Sequence, residues 1–139
     1  VLNWVLVLDD RGLSTPTVYR RLDELRQAQG QDPTLVSAAE VSEDFLTTLA
    51  TGTPAEIAPL LRNDLQLPAL DLMPHLANTI DAGIAAGALA GMVSGSGPTV
   101  ALLAESESAA EDIANRLAFA GYSTVTAAGP AIGAVLENN

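Results

Sequence analysis

The chain has 139 residues, 48% of them hydrophobic, enough for one well-buried core and little more. A net charge of −11 repels nucleic-acid phosphates and anionic membrane surfaces, so neither is expected as a partner. The absence of cysteine excludes disulfide frameworks and thiolate metal sites, a single histidine cannot build a zinc site, and with only 4% aromatics the core must be aliphatic.

Residues 1–8 (Val1-Leu2-Asn3-Trp4-Val5-Leu6-Val7-Leu8) read as a buried strand from the first position, with Trp4 as a core residue or, alternatively, as cover for an interface with a missing domain. The run has no basic leader or small-residue cleavage site and is too short to span a bilayer, so a cytoplasmic location is expected. Opening on a strand without an initiating methionine is what a piece of a longer protein would do. Asp9-Asp10-Arg11-Gly12 reads as a turn. Ser14 then offers an N-cap hydroxyl and Pro16 the first helical position. In the helix that follows, Val18, Leu22 and Leu25 share one face, and Tyr19 stands about 100° around from Val18, at the edge of that face. Residues 27–33 are a polar linker. Residues 44–50 predict a helix that uses Phe45, Leu46 and Leu49, and Thr53-Pro54-Ala55-Glu56 is a capping box for a short helix through Leu61. Pro68 and Pro74 bracket a boundary, after which Leu76, Ile80 and Ile84 repeat every four residues until Gly87 offers a C-cap.

Next comes Met92-Val93-Ser94-Gly95-Ser96-Gly97-Pro98-Thr99-Val100, where small residues interrupt two apolar stretches that read as paired strands. Glycines at 95 and 97 allow backbone angles closed to other residues and leave no Cβ in a ligand's way, while serine hydroxyls and N–H groups offer donors to an anion. A branched side chain at Gly97 is therefore expected to fill space that a phosphate needs while sparing the core. The run has no Walker A lysine and leads into a strand rather than a helix, so neither a P-loop nor a dinucleotide fingerprint fits. A glycine-rich strand connection that holds no ligand is the alternative.

Ser108-Ala109-Ala110-Glu111 reads as a second capping box, with Ile113 and Leu117 defining a helix that ends near Gly121. Residues 122–126 and 131–136 are β-prone, with Gly129-Pro130 expected to bend or break the last strand. The predicted class is α+β: a mainly antiparallel sheet with helices packed on one face. His75 reads as a solvated surface histidine, and Asp9, Asp10, Glu40, Glu43 and Asp44 as loop or solvent-facing carboxylates rather than paired acids or metal ligands.

Leu13-Ser14-Thr15-Pro16, Asn63-Asp64-Leu65 and Ser94-Gly95-Ser96-Gly97-Pro98-Thr99 in strand-loop-strand context together resemble the C-terminal half of the 4-diphosphocytidyl-2-C-methyl-D-erythritol kinases, within the GHMP kinase superfamily. The resemblance runs through the chain to Gly129-Pro130-Ala131-Ile132-Gly133-Ala134 and is strongest to actinobacterial members. It implies that residues 1–139 are a ferredoxin-like, substrate-side domain. The implied reaction moves the γ-phosphoryl group of ATP, accompanied by magnesium, to the 2-hydroxyl of the cytidylyl substrate in the non-mevalonate isoprenoid pathway. The ATP loop, lysine and aspartate assigned to chemistry in the family lie in an N-terminal domain. No segment here matches that loop and no lysine occurs, so no catalytic residue is placed and this chain alone is expected to be inactive. The resemblance makes Ser94, Gly95, Ser96, Gly97, Pro98 and Thr99 a wall of the phosphoryl-transfer cleft, and makes Tyr19 the aromatic that stacks on cytosine. A boundary tyrosine that packs against the core is the alternative for Tyr19. Gln66 stands where the family often has Glu. Two other readings remain: another GHMP member such as homoserine kinase, or a non-catalytic ferredoxin-like sensing or interaction module whose glycine loop is coincidental.

Overall fold

The computed structural model describes residues 1–37 and 40–133. Four strands, β1 (Leu2–Leu8), β2 (Ala90–Val93), β3 (Val100–Ala104) and β4 (Ser123–Gly129), form one sheet in the order β2-β3-β1-β4 with every neighbouring pair antiparallel. The described helices are α1 (Thr15–Ala28), α2 (Glu43–Thr51), α3 (Pro54–Ile57), α4 (Gln66–Leu72), α5 (His75–Ala85) and α6 (Glu107–Phe119), with short 3-10 turns at Pro33–Leu35 and Ala58–Leu60. This is the expected α+β, ferredoxin-like arrangement, in which a helical crossover precedes β2 and another precedes β4.

Pleating decides which strand residues are buried. Val5 and Val7 of β1 pair with Leu102 and Val100 of β3, and all four join the core beneath Leu76 of α5 and Ala110, Ile113 and Leu117 of α6. Alternation sends Leu2, Trp4, Leu6 and Leu8 to the opposite sheet face. The expectation of a buried first strand is thus corrected: Trp4 is only half-buried, on the sheet face opposite Val5 and Val7.

Helix α5 also differs from its apolar pattern. Its buried residues are Leu76, Thr79 and Gly83, while Ile84 is exposed. Gly83 lies against the side chain of Leu102, and a Cβ there would collide with it, so a missing side chain sets how closely α5 approaches β3. Counting large apolar residues cannot detect that contact. Pro68 lies within the first turn of α4 and not at a boundary, because a first-turn residue needs no N–H donor. The capping box at Thr53 and Glu56 forms with both reciprocal hydrogen bonds. By contrast, α6 is capped by Ser106, whose hydroxyl accepts from the N–H of Ala109, two residues earlier than the spacing suggested. Ser14 takes the N-cap position of α1, but its hydroxyl makes no capping bond and Pro16 is the second helical residue. No residue of α2 is buried; Leu46 and Leu49 are exposed. Strand β4 stops at Gly129, residues 131–133 are not strand, and the remainder of the predicted last segment, 134–136, lies outside the described residues.

Candidate functional site

The β2–β3 connection is a tight, internally bonded turn. Ser94 N–H donates to the Thr99 carbonyl at 2.8 Å and Gly97 N–H donates to the Ser94 carbonyl at 2.9 Å. Gly95 and Gly97 have φ of +56° and +80°, angles that disfavour any side chain with a Cβ. The two glycines face different surroundings. A Cβ at Gly95 would meet nothing within 4 Å, whereas one at Gly97 would meet Val93 Cγ1 at 3.1 Å and Leu13 Cδ2 at 3.3 Å. The expectation that Gly97 leaves room for a ligand is therefore corrected: position 97 points at the apolar interior, and the open position is 95. The N–H of Gly97 is engaged within the turn, while those of Gly95 and Ser96 have no partner among the described residues. Two adjacent free N–H groups form a concavity suited to an anion.

Side chains far away in sequence hold this turn. Asn63 Nδ2 donates to the carbonyls of Val93 at 2.7 Å and Gly95 at 2.8 Å, while Asn63 Oδ1 accepts from Leu65 N–H at 3.0 Å. Gln66 Oε1 accepts from Val93 N–H at 3.0 Å. Thr15 Oγ1 and Ser96 Oγ are 2.7 Å apart, joining the first residue of α1 to the turn. Tyr19 follows Thr15 by four residues and so shares its helix face one turn further on. Tyr19 is 53% exposed.

A second polar cluster sits where β1 ends and α5 begins. The Asp9 carboxylate accepts from Arg11 Nε at 2.9 Å, Arg11 NH2 at 2.7 Å and Arg11 N–H at 2.9 Å, and it is 2.7 Å from His75 Nε2. The expectation of a solvated His75 is corrected, since its side chain is 29% exposed and tied to Asp9. The Arg11 side chain holds the Asp9 carboxyl well below the usual carboxylate range; burial opposes this, and the Arg11 N–H and His75 add to it. These residues border an open cleft of about 860 Å³ that reaches Pro98 of the loop and Tyr122.

The lowered Asp9 value has a consequence for stability. A carboxyl depressed in the folded state stabilises fully above its unfolded value near 3.9, and that contribution fades as pH falls through the lower folded value. Asp9→Asn is expected to cost about 1.5–3 kcal/mol at pH 7, typical of hydrogen bonds to a charged group, with a smaller deficit at pH 3. Denaturant unfolding of the full-length protein at the two pH values checks this, and an equal deficit at both would contradict it.

Among the described residues no group of three or more His, Asp or Glu is placed to hold a metal ion. No described helix is long and apolar enough to cross a membrane.

The family model for the C-terminal region of GHMP kinases matches residues 45–123, more than half of the chain and the stretch that contains α4, α5 and the glycine loop. The chain belongs to the GHMP kinases. Among individual relatives, the 4-diphosphocytidyl-2-C-methyl-D-erythritol kinase of Nocardia farcinica is 50% identical over 134 residues, covering 95% of this chain and 42% of the relative. The enzyme of the same name from Rhodococcus jostii is 50% identical over 139 residues, covering 99% of this chain and 43% of the relative. A crystal structure of a 4-(cytidine 5'-diphospho)-2C-methyl-D-erythritol kinase superposes with a TM-score of 0.67 at 26% identity, covering 90% of this chain and 41% of the other. This GHMP kinase chain thus spans about two-fifths of the length of the relatives it matches. Within it, the hydroxyl of Thr15 and the amides of Asn63 and Gln66 hydrogen-bond to the glycine loop and its flanking strand, contacts that spacing alone did not assign. Their signal was present only as motif membership, because contacts across 81 and about 30 residues leave no local pattern.

Proposed function

We propose that the full-length protein phosphorylates the 2-hydroxyl of 4-diphosphocytidyl-2-C-methyl-D-erythritol with ATP, and that residues 1–139 form the substrate-side wall of the cleft. The observation that carries this reading is convergence: Thr15 and Asn63, from two of the motifs, both hydrogen-bond to the third, the glycine loop, whose position 95 stays open. The names of the relatives at 50% identity support the substrate.

In this reading the free N–H groups of Gly95 and Ser96 donate to phosphate oxygens, fixed in place before the substrate arrives. Oriented donors of that kind stabilise charge that develops during phosphoryl transfer. Magnesium would enter with ATP. Among the described residues no group of three or more His, Asp or Glu is placed to hold it, and the catalytic residues belong to the other part of the full-length protein. Tyr19 presents its exposed ring to the cytosine base. A soluble small-molecule reaction in the cytoplasm suits a chain of net charge −11, with its own N-terminal domain as the partner and neither nucleic acid nor membrane involved.

Steady-state kinetics of the full-length protein test the proposal. Wild type is expected to form a phosphate monoester on the cytidylyl substrate, detectable by ³¹P NMR, and to leave homoserine untouched. Turnover of homoserine instead would overturn the substrate assignment. Stacking on an aromatic is worth about 1–3 kcal/mol per base, so Tyr19→Ala should raise KM for the cytidylyl substrate about ten-fold or more while KM for ATP hardly moves. Equal effects on both would return Tyr19 to a packing role.

A further inference from the structure

Strand β2 is the edge of the sheet, and the side of it not paired with β3 is covered by two side chains rather than by a strand. Val93 turns both its N–H and its carbonyl away from β3; Gln66 takes the first and Asn63 the second. Asn63 reaches further and also holds the carbonyl of Gly95, a residue whose own N–H has no partner among the described residues. The orientation of the Asn63 amide is set by its partners, with two carbonyls requiring the NH₂ and the Leu65 N–H requiring the oxygen.

We propose that Asn63 is a positioning residue for phosphoryl transfer: by bridging the Val93 and Gly95 carbonyls it fixes the peptide planes whose N–H groups face the phosphate. Gln66 assists by fixing Val93 from the other side. The proposal rests on the phosphate reading of the loop. Asn63 also has a purely local role, since its oxygen closes an Asx turn that leads into α4. The two roles separate chemically. A carboxylate accepts from the Leu65 N–H as well as an amide does, so Asn63→Asp keeps the turn. It cannot donate, however, and places one carboxylate oxygen where Nδ2 stood, 2.7 and 2.8 Å from two carbonyl oxygens, so it releases the loop.

The experiment compares wild-type and Asn63→Asp full-length protein by kinetics, melting and amide hydrogen exchange of Gly97, whose N–H closes the turn onto Ser94. Misplacing a catalytic group by a fraction of its contact distance costs up to about 10²-fold, so kcat is expected to fall about 10- to 10²-fold. The Gly97 amide is expected to lose protection, while KM for the cytidylyl substrate and the melting temperature change little. Unchanged Gly97 protection would overturn the clamp, whatever the activity. Lost protection with kcat intact would show a clamped loop that takes no part in the reaction, and would overturn the phosphate reading instead. Asn63→Ala removes both turn and clamp; if it matched Asn63→Asp in kcat but melted lower, the separation of the two roles would be upheld.

Discussion

Gly95→Val in the full-length protein is expected to lower kcat by about 10²–10³-fold, the cost usually seen when an oriented donor is lost from a charge-stabilising site. Position 95 has φ of +56° and open space where the side chain would go, so a branched residue strains the backbone that carries the two free N–H groups and adds bulk to the open side of the turn. The strain is local and costs about 1–2 kcal/mol, which moves the melting temperature by only a few degrees. Kinetics and thermal unfolding on one preparation decide the matter. Activity near wild type would make the loop a mere strand connection.

Gly97→Val has the opposite profile. Its new atoms would press on Val93 and Leu13, with Leu76 just behind at 3.9 Å, from a backbone at φ +80°. Val93 and Leu76 belong to the main core and Leu13 packs against it, so the collision is with the interior. Overpacking and a positive-φ side chain together cost about 2–5 kcal/mol, a drop in melting temperature of about 4–20 °C. Any loss of activity should then follow loss of fold, disappearing at temperatures low enough to keep the variant folded. A variant that melts like wild type yet has lost turnover would place Gly97 against ligand after all. Two glycines separated by one serine thus meet different surroundings, open space at 95 and the apolar interior at 97.

That difference marks how far the sequence could be read. Most helices and the four strands followed from periodicity and caps, because Thr53-Pro54-Ala55-Glu56, Gly87 and Gly121 act within one helical turn of themselves; α4 was missed because Pro68 read as a boundary. The alternation of β1 was hidden because Leu2, Trp4, Leu6 and Leu8 are as apolar as Val5 and Val7; only pairing with β3 shows which set joins the core under α5 and α6. The α5 register was misread because Gly83 contributes by what it lacks, allowing Leu102 to fill the space. At the site, the glycine loop was evident from composition alone. Its supports were not: the bonds from Thr15, Asn63 and Gln66 join distant segments, and single polar residues in helices and turns normally read as solvated. His75 was misjudged for the same reason, since Asp9 lies 66 residues away.

The central claim is that the N–H groups of Gly95 and Ser96 receive a phosphate. Backbone amide NMR of isotopically labelled full-length protein, titrated with the cytidylyl substrate and a non-hydrolysable ATP analogue together, observes those two groups directly. Both resonances are expected to move downfield and to saturate together, at ligand concentrations comparable with the kinetic KM values. If they stay in place while resonances elsewhere in the protein report binding, the loop is not the phosphate site.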